Sequence, residues 1–463
     1  MSTSRTDQAT VPTQRLRERV KGRVISPDDT DYDAVRGIML GGTDPRPAVV
    51  FRPTSDDDVV AALAFARESG LPLAVRSGGH SSAGYGTAVG GLVIDLRDMK
   101  GLDIDVEGRT AWAESGLTAG EFTEAANAHG LAVGFGDTGS VGLGGLTTGG
   151  GVGYLARKYG LTVDNLLAAD VVTADGRVLR VDEKSHPDLF WAIRGGGGNF
   201  GVVTRFQFRL QEVGQIVGGM ICLPATAETV AGFIAAAEAA PDELTTIANV
   251  MNCPPMPFIP EEHHGSSVIL GMLCFAGPEE DGLAAMTAFT DLAEPLANML
   301  APMPYPGMYP PEDPDYHPTA VSLTMFMDSV DAATAQTVVD AIESSDAMLR
   351  AVQLRVLGGA VAKVPADATA YAHRSSRLMT NVAAFYNGPE DKPVRQAWIQ
   401  EVAAALHQSD DGAYVNFLGD EGPDRIRAAY PGTTYDRLAA VKAEYDPTNL
   451  FRLNQNIPPA TTT

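Results

Sequence analysis

Val75-Arg76-Ser77-Gly78-Gly79-His80-Ser81-Ser82-Ala83-Gly84-Tyr85-Gly86 is the stretch on which the reading of this chain turns. An apolar run, Leu71 to Val75, leads into paired glycines and then a histidine. A strand that ends this way lets backbone approach a ligand closely and presents one imidazole nucleophile beside it. A single loop histidine is an ordinary structural residue, so the stretch gains weight only from support elsewhere in the chain.

Outward from it, the pattern is one of alternating elements. Ser55-Asp56-Asp57-Asp58 reads as a helix cap, Val59 to Ser69 as an amphipathic helix and Gly70 as its stop. Leu71–Arg76, 91–96 and Thr110–Glu114 read as strands, and Ala119 to His129 as a helix closed by Gly130. This alternation runs from Arg23 to about Gln211 and predicts an α+β lobe. From Glu212 to Asp411 four helical patterns appear, at 226–239, 282–296, 332–345 and 394–408. Strand patterns at 267–275, 319–327, 352–357 and 381–385 lie between them, predicting a sheet with helices on one face and the other face free. The Pro-rich run Pro302 to Pro318 is expected to be a long loop at a lobe edge, read as a structural spacer in preference to the alternative of a lid. The expected divisions are a polar tail over 1–22, a first lobe over 23–211, a middle lobe over 212–411 and a returning segment over 412–463.

Composition bounds the function. The 463 residues suffice for two or three compact lobes, and 44% hydrophobic with 20% charged residues is ordinary for a globular protein. A net charge of −24 argues against nucleic acid or an anionic membrane as partner. Cys222, Cys253 and Cys274 are odd in number and contain no CxxC pair, so no disulfide framework is expected. With no apolar leader in Met1 to Gln14 and no long apolar window, the expectation is a soluble, cytoplasmic protein.

Two further segments are rich in glycine. Gly142 to Gly151 lets several backbone N–H groups converge on an anion such as a diphosphate. Gly196-Gly197-Gly198-Asn199-Phe200-Gly201 formally matches G-x-G-x-x-G, but a helical pattern (188–194) precedes it and a strand pattern (202–210) follows. A dinucleotide fingerprint of the Rossmann type requires the reverse order, so the match is false for that fold.

Four segments in order then resemble one family: VRSGGHSSAGYG (75–86), GSVGLGGLTTGGGVGYLARKYGLTVDN (139–165), DLFWAIRGGGGNFGVVT (188–204) and YDPTNLFRLNQNIPP (445–459). They are similar to the berberine bridge enzyme-like branch of the vanillyl-alcohol oxidase superfamily. The resemblance implies a bilobal, PCMH-type FAD-binding fold with an inserted sheet-plus-helices substrate domain. It places His80 where relatives bond the 8-alpha methyl of the flavin. It also implies cofactor contacts from Arg76, Ser77, Gly78, Gly79, Ser81, Tyr85, Thr138, Ser140, Val141, Gly144, Gly145, Gly149, Gly150, Gly151, Val202, Tyr414, Asn416 and Asn454. Many relatives carry a second link through a cysteine at the position of Thr138, which cannot form a thioether, so the expectation is FAD held covalently through His80 alone.

For chemistry, Tyr414-Val415-Asn416 fits the family's Y-x-N motif, making Tyr414 the first candidate for base or substrate anchor. Gln353 stands where some relatives use a glutamate and can hydrogen-bond but not accept the proton. Tyr371, followed by His373 and Arg374, is a further candidate. No metal site is expected: the neighbouring His263 and His264 are not pre-set to chelate. The expected activity is oxidation of an alcohol, sugar or amine natural product, with dioxygen as acceptor. A dehydrogenase or oxidative cyclase is the alternative within enzymes. A flavoprotein that sequesters a metabolite is the alternative outside them.

Overall fold

The computed structural model describes residues 13–313 and 315–461, so most of the polar stretch read in Met1 to Gln14 lies outside the described residues. Residues 13–22 are not a free tail. Thr13–Arg17 is a short helix whose Leu16 is fully buried among Val59, Leu63 and Phe65.

The first lobe holds two larger sheets and a two-stranded ribbon that pairs Leu131–Ala132 with Gln211–Glu212. In the first, Arg23–Ile25, Val49–Arg52, Leu92–Asp95 and Leu73–Arg76 lie in that order, the last three parallel. The helix Asp56–Ser69 begins at Ser55, whose hydroxyl accepts the Asp58 N–H, and ends on left-handed Gly70. In the second, five antiparallel strands run Leu102–Asp105, Thr110–Glu114, Val202–Arg209, Leu166–Val172 and Val178–Asp182. The helix Pro187–Ala192 before Gly196 and the strand after Gly201 bear out the reversed order read from sequence.

The C-terminal segment returns to this lobe: Ala413, Leu418, Tyr430, Leu438 and Ile457 share a core with Phe122, Phe190 and Phe206. Its motif has a physical reason. Lys442 is fully buried, and its ammonium donates to Asp446 (2.6 Å), the Asn199 carbonyl (2.8 Å) and the Phe451 carbonyl (2.9 Å). All three donors are thereby used, and Asp446 also accepts the N–H groups of Leu450 and Phe451.

The middle lobe is an antiparallel sheet in the order Ala297–Asn298, Gln215–Pro224, Ser267–Phe275, Leu244–Asn252, Arg350–Val356, Leu378–Phe385, Ala320–Met327. Helices Ala227–Ala239, Glu279–Thr290, Ala332–Ser344 and Lys392–Leu406 bury Phe233, Phe289, Val338 and Val402 against one face. The opposite face, expected from the sequence pattern to be free, looks towards the first lobe, with Arg355 reaching Asp137. Two expectations change. The pattern at 282–296 ends as a helix at Thr290, because Ala297–Asn298 pairs as a strand with Ile221 and Cys222. The run 302–318 is a loop only in its second half. Ala301–Pro304 pairs with Gln215–Gly218, and Tyr305–Met308 is a 3-10 turn burying Tyr305 and Met308.

One buried charge pair underlies the first sheet. Arg76, 2% exposed, donates to Asp95 (2.9 Å) and to the carbonyls of Val35 (2.6 Å) and Gly37 (2.8 Å). Burial pushes the Asp95 carboxyl up, but the Arg97 hydrogen bonds and the Arg76 charge outweigh it and bring it from 3.8 to about 2. The stabilisation is therefore complete above pH 3.8 and fades as pH falls through about 2. Asp95→Ala leaves Arg76 buried and unpaired, and we expect a loss of about 3–5 kcal/mol at pH 7. Urea unfolding of the variant checks this, and an unchanged midpoint would refute it.

Candidate active site

The site begins where the two glycine-rich segments touch. A Cβ on Gly78 would stand 2.3 Å from the Gly142 nitrogen, and one on Gly142 would stand 2.1 Å from the Gly78 nitrogen. Only backbone fits there. Ser77 fastens the contact: its hydroxyl donates to the Ser115 carbonyl (2.5 Å) and accepts the Gly144 N–H (3.2 Å). The chain then turns at Gly79 (φ +81°) and presents His80. His80 Nε2 lies 3.0 Å from Ser140 Oγ, and burial lowers the ring's proton affinity below its ordinary value, leaving a neutral imidazole at pH 7.

His80 opens onto a cavity of about 490 Å³ between the lobes, within the ~300–1,000 Å³ usual for cofactor and ligand sites. Of the residues expected from sequence, all but Ser140, Gly149, Gly150 and Tyr371 line it. Ser140 sits behind His80. Gly149 packs on Asn416, where a Cβ would come within 2.0 Å of its Oδ1, and Gly150 packs on Tyr371 and Tyr414. Tyr371 is buried edge-on against Tyr414 (centroids 6.0 Å apart) with Arg374 over its ring, and burial drives its phenol up. It is a packing residue, which corrects its candidacy for chemistry. Arg76 lines the cavity, but its guanidinium is committed to Asp95, so its part is to hold the turn.

On the opposite wall the middle sheet supplies a row of amides. Register sets Asn249 beside Gln353 and Gln353 beside Asn381 on three adjacent strands. Gln353 donates to Asn249 Oδ1 (2.8 Å) and accepts from Arg355 Nε (2.8 Å). The Arg355 guanidinium pairs with Asp137 of the first lobe and lies over the Phe417 ring. Asp137, Arg355, Asn381 and Phe417 were not anticipated. For Arg355 the signal was present in Val352-Gln353-Leu354-Arg355-Val356, where polar side chains alternate with apolar ones on a buried strand, and for Asn381 in a polar amide within the strand Leu378–Phe385. Gly197, Gly198, Asn199 and Gly201 also line the cavity, so the false Rossmann match marks a real wall.

Tyr414 closes the site. Its hydroxyl oxygen accepts the Gly151 N–H (2.9 Å) and an Asn416 Nδ2–H (3.0 Å), and the same amide reaches the Leu146 carbonyl (3.1 Å). Burial raises the phenol despite these donors and nearby Arg355, so it keeps its proton at neutral pH. Asp137 is the one carboxylate among the described residues of the cavity wall.

A family model described as "FAD binding domain" matches residues 47–182, and one described as "Berberine and berberine like" matches 413–458. An FAD-linked oxidoreductase of Dictyostelium discoideum is 30% identical over 89% of this chain and 89% of its own length. The (R)-6-hydroxynicotine oxidase of Paenarthrobacter nicotinovorans is 30% identical over 95% of this chain and 97% of its own. The chain belongs to the berberine bridge enzyme-like family of FAD-linked oxidoreductases. A solved structure of 6-hydroxy-D-nicotine oxidase from Arthrobacter nicotinovorans superposes with TM-score 0.83 at 28% identity, covering 95% of this chain and 98% of that one. A xylooligosaccharide oxidase from Myceliophthora thermophila shares the fold at TM-score 0.83 and 24% identity, covering 98% and 100%.

The cavity fits FAD. A Cβ on Gly145 would meet nothing within 4 Å, leaving room on that wall, and Asn454 Oδ1 is buried without a partner at the cavity edge. The turn at Ser77–Ser82, the run Val141–Leu146, Gly197–Asn199 and Asn454 would hold it. Gly149→Ala drives a methyl into Asn416, and we expect it to cost about 1–3 kcal/mol of stability. The purified variant should also show less flavin absorbance per protein, and full flavin content with an unchanged melting temperature would refute this.

Proposed function

We propose that the protein is an FAD-dependent oxidase that carries its flavin covalently through His80 alone and passes electrons to dioxygen. The observation that carries the reading is a neutral imidazole, His80, opening onto the same cavity as Tyr414 and the Gln353 amide row. FAD, when bound, supplies the hydride acceptor. Attachment would exchange one C–H of the 8-alpha methyl and the N–H of His80 for a single N–C bond. The two protons and two electrons released reduce dioxygen to hydrogen peroxide. Thr138 offers no thiolate for a second bond.

The chain's own groups favour a particular substrate. The wall offers amides, a phenol that keeps its proton and a carboxylate already paired with Arg355. Such a site binds an uncharged molecule by donating and accepting hydrogen bonds, and among the described residues its wall holds no free carboxylate to take an alcohol's proton. An amine in its neutral form, the form this uncharged wall suits, loses hydride from the carbon beside its own lone pair and needs no strong base for that step. We therefore place amines ahead of alcohols and sugars. Tyr414 acts as a hydrogen-bond donor to the substrate and not as the base.

Protein denatured in SDS should stay yellow and give a fluorescent band, which His80→Ala abolishes and Thr138→Ala retains. A wild-type flavin that separates on denaturation would refute the tether. Peroxide release across a panel of amines, alcohols and sugars tests the substrate order. Tyr414→Phe should lower turnover by about tenfold, the worth of one hydrogen bond of roughly 1.4 kcal/mol, with an unaltered pH profile between 8 and 10. A rate that climbs through that window in wild type alone would make Tyr414 the base.

A further inference from the structure

We infer that Glu312 prepares His80 for its bond to the flavin, acting through Ser140. Glu312 is thus a positioning residue for the tether, and the inference rests on the His80 tether proposed above.

The second half of the Pro-rich run carries Glu312 across the His80 turn and is fastened on both sides of it. On one side, Tyr309 donates to the Gly136 carbonyl (3.0 Å) and meets the hydroxyl of fully buried Tyr305 (3.0 Å). On the other, His317 Nδ1 donates to the Met39 carbonyl (3.1 Å), and the Gly41 N–H donates to the Pro318 carbonyl (2.9 Å). Met39 in turn donates its N–H to the carbonyl of Gly79, the residue before His80 (3.1 Å). Gly139 permits the approach, since a Cβ there would already stand 3.3 Å from the Tyr309 Cβ and 3.6 Å from Glu312 Oε1.

Glu312 grips Ser140 with both oxygens. Oε1 accepts the Ser140 N–H (3.1 Å), and Oε2 accepts the Ser140 hydroxyl. A carboxylate only accepts, so the hydroxyl proton must point at Glu312. The Ser140 oxygen then turns a lone pair to His80 Nε2, 3.0 Å away, and that nitrogen must be the one bearing hydrogen. Nδ1 is left with its lone pair free to form the bond to carbon. Once Nδ1 is alkylated, the Nε2 proton is the one that leaves, and it faces the Ser140–Glu312 pair.

The polarity of this relay makes a sharp test. In Glu312→Gln the amide oxygen is claimed by the Ser140 N–H, so the amide N–H₂ faces the hydroxyl and donates to it. The Ser140 hydrogen, displaced from residue 312, then has Nε2 as its acceptor 3.0 Å away, and donation there moves the ring hydrogen to Nδ1 and blocks the nucleophile. Glu312→Ala leaves Ser140 free to point either way. The isosteric substitution should therefore be worse than the truncation, an order that loss of packing does not produce.

Full-length wild type, Glu312→Ala, Glu312→Gln and Ser140→Ala, each made in flavin-depleted cells, would be mixed with FAD and sampled for SDS-resistant fluorescence over time. We expect Glu312→Gln to attach flavin on the order of 10- to 100-fold more slowly than wild type, with Glu312→Ala and Ser140→Ala between them. Reversible FAD affinity before attachment should be similar in all four. A tethered wild type with Glu312→Gln equally fast would overturn the relay alone. Slowing in step with weakened FAD affinity would likewise overturn it, in favour of a structural role. A wild type that never acquires the fluorescence would overturn the tether and the relay with it.

Discussion

The contact between Gly78 and Gly142 is the constraint on which the site depends. Two backbones meet there with no space for a side chain on either. Because they meet, the turn after Leu73–Arg76 and the segment before helix Leu143–Gly149 form one surface, and His80 comes within hydrogen-bond reach of Ser140. Any Cβ at either glycine would part the segments and take the imidazole away from its partner. The buried Arg76–Asp95 pair serves the same end from below: it fixes the last residue of the strand from which the turn departs.

The middle lobe meets this surface with the face of its sheet opposite its own four long helices. Polar side chains on a buried strand are costly unless they are hydrogen-bonded. Here Asn249, Gln353 and Arg355 satisfy one another in a chain that ends on Asp137 of the first lobe. The chain serves as substrate wall and as bridge between lobes. It also leaves Asn381 Oδ1 buried without a protein partner, next in register to Gln353. An acceptor left open beside a cavity suits a ligand that donates an N–H or O–H.

Much of this was legible in the chain, and the part that was not has a physical cause. His80 and the glycine runs announce themselves because backbone approach demands glycine at fixed places, which leaves a dense local signature, whereas Tyr414 and Asn416 were legible only through the resemblance to the family's Y-x-N motif. Arg355 and Asn381 left only a polar residue inside an apolar strand, and which residues they meet is set by register between strands distant in sequence. Asp137 lies in a loop and left no pattern at all. Tyr371 misled because it lies beside Tyr414 in space yet turns into the core. Within the Pro-rich run the prolines concealed a strand and a buried 3-10 turn. Pro302 and Pro304 sit at the sheet's margin, where a missing N–H is tolerated.

Position 138 ties the single proposed tether to the substrate wall. A thioether needs a thiolate, and a thiolate at 138 would form next to Asp137, whose carboxylate is spent on Arg355. Like charge so close would raise the thiol and compete with that ion pair. Threonine avoids the conflict: its hydroxyl lies 3.5 Å from Asp137 Oδ1 and adds no charge. The arrangement that keeps Arg355 neutralised against an uncharged substrate is thus at odds with a second covalent bond at this place. On this argument one tether and a charge-balanced pocket are two consequences of the same pair of side chains.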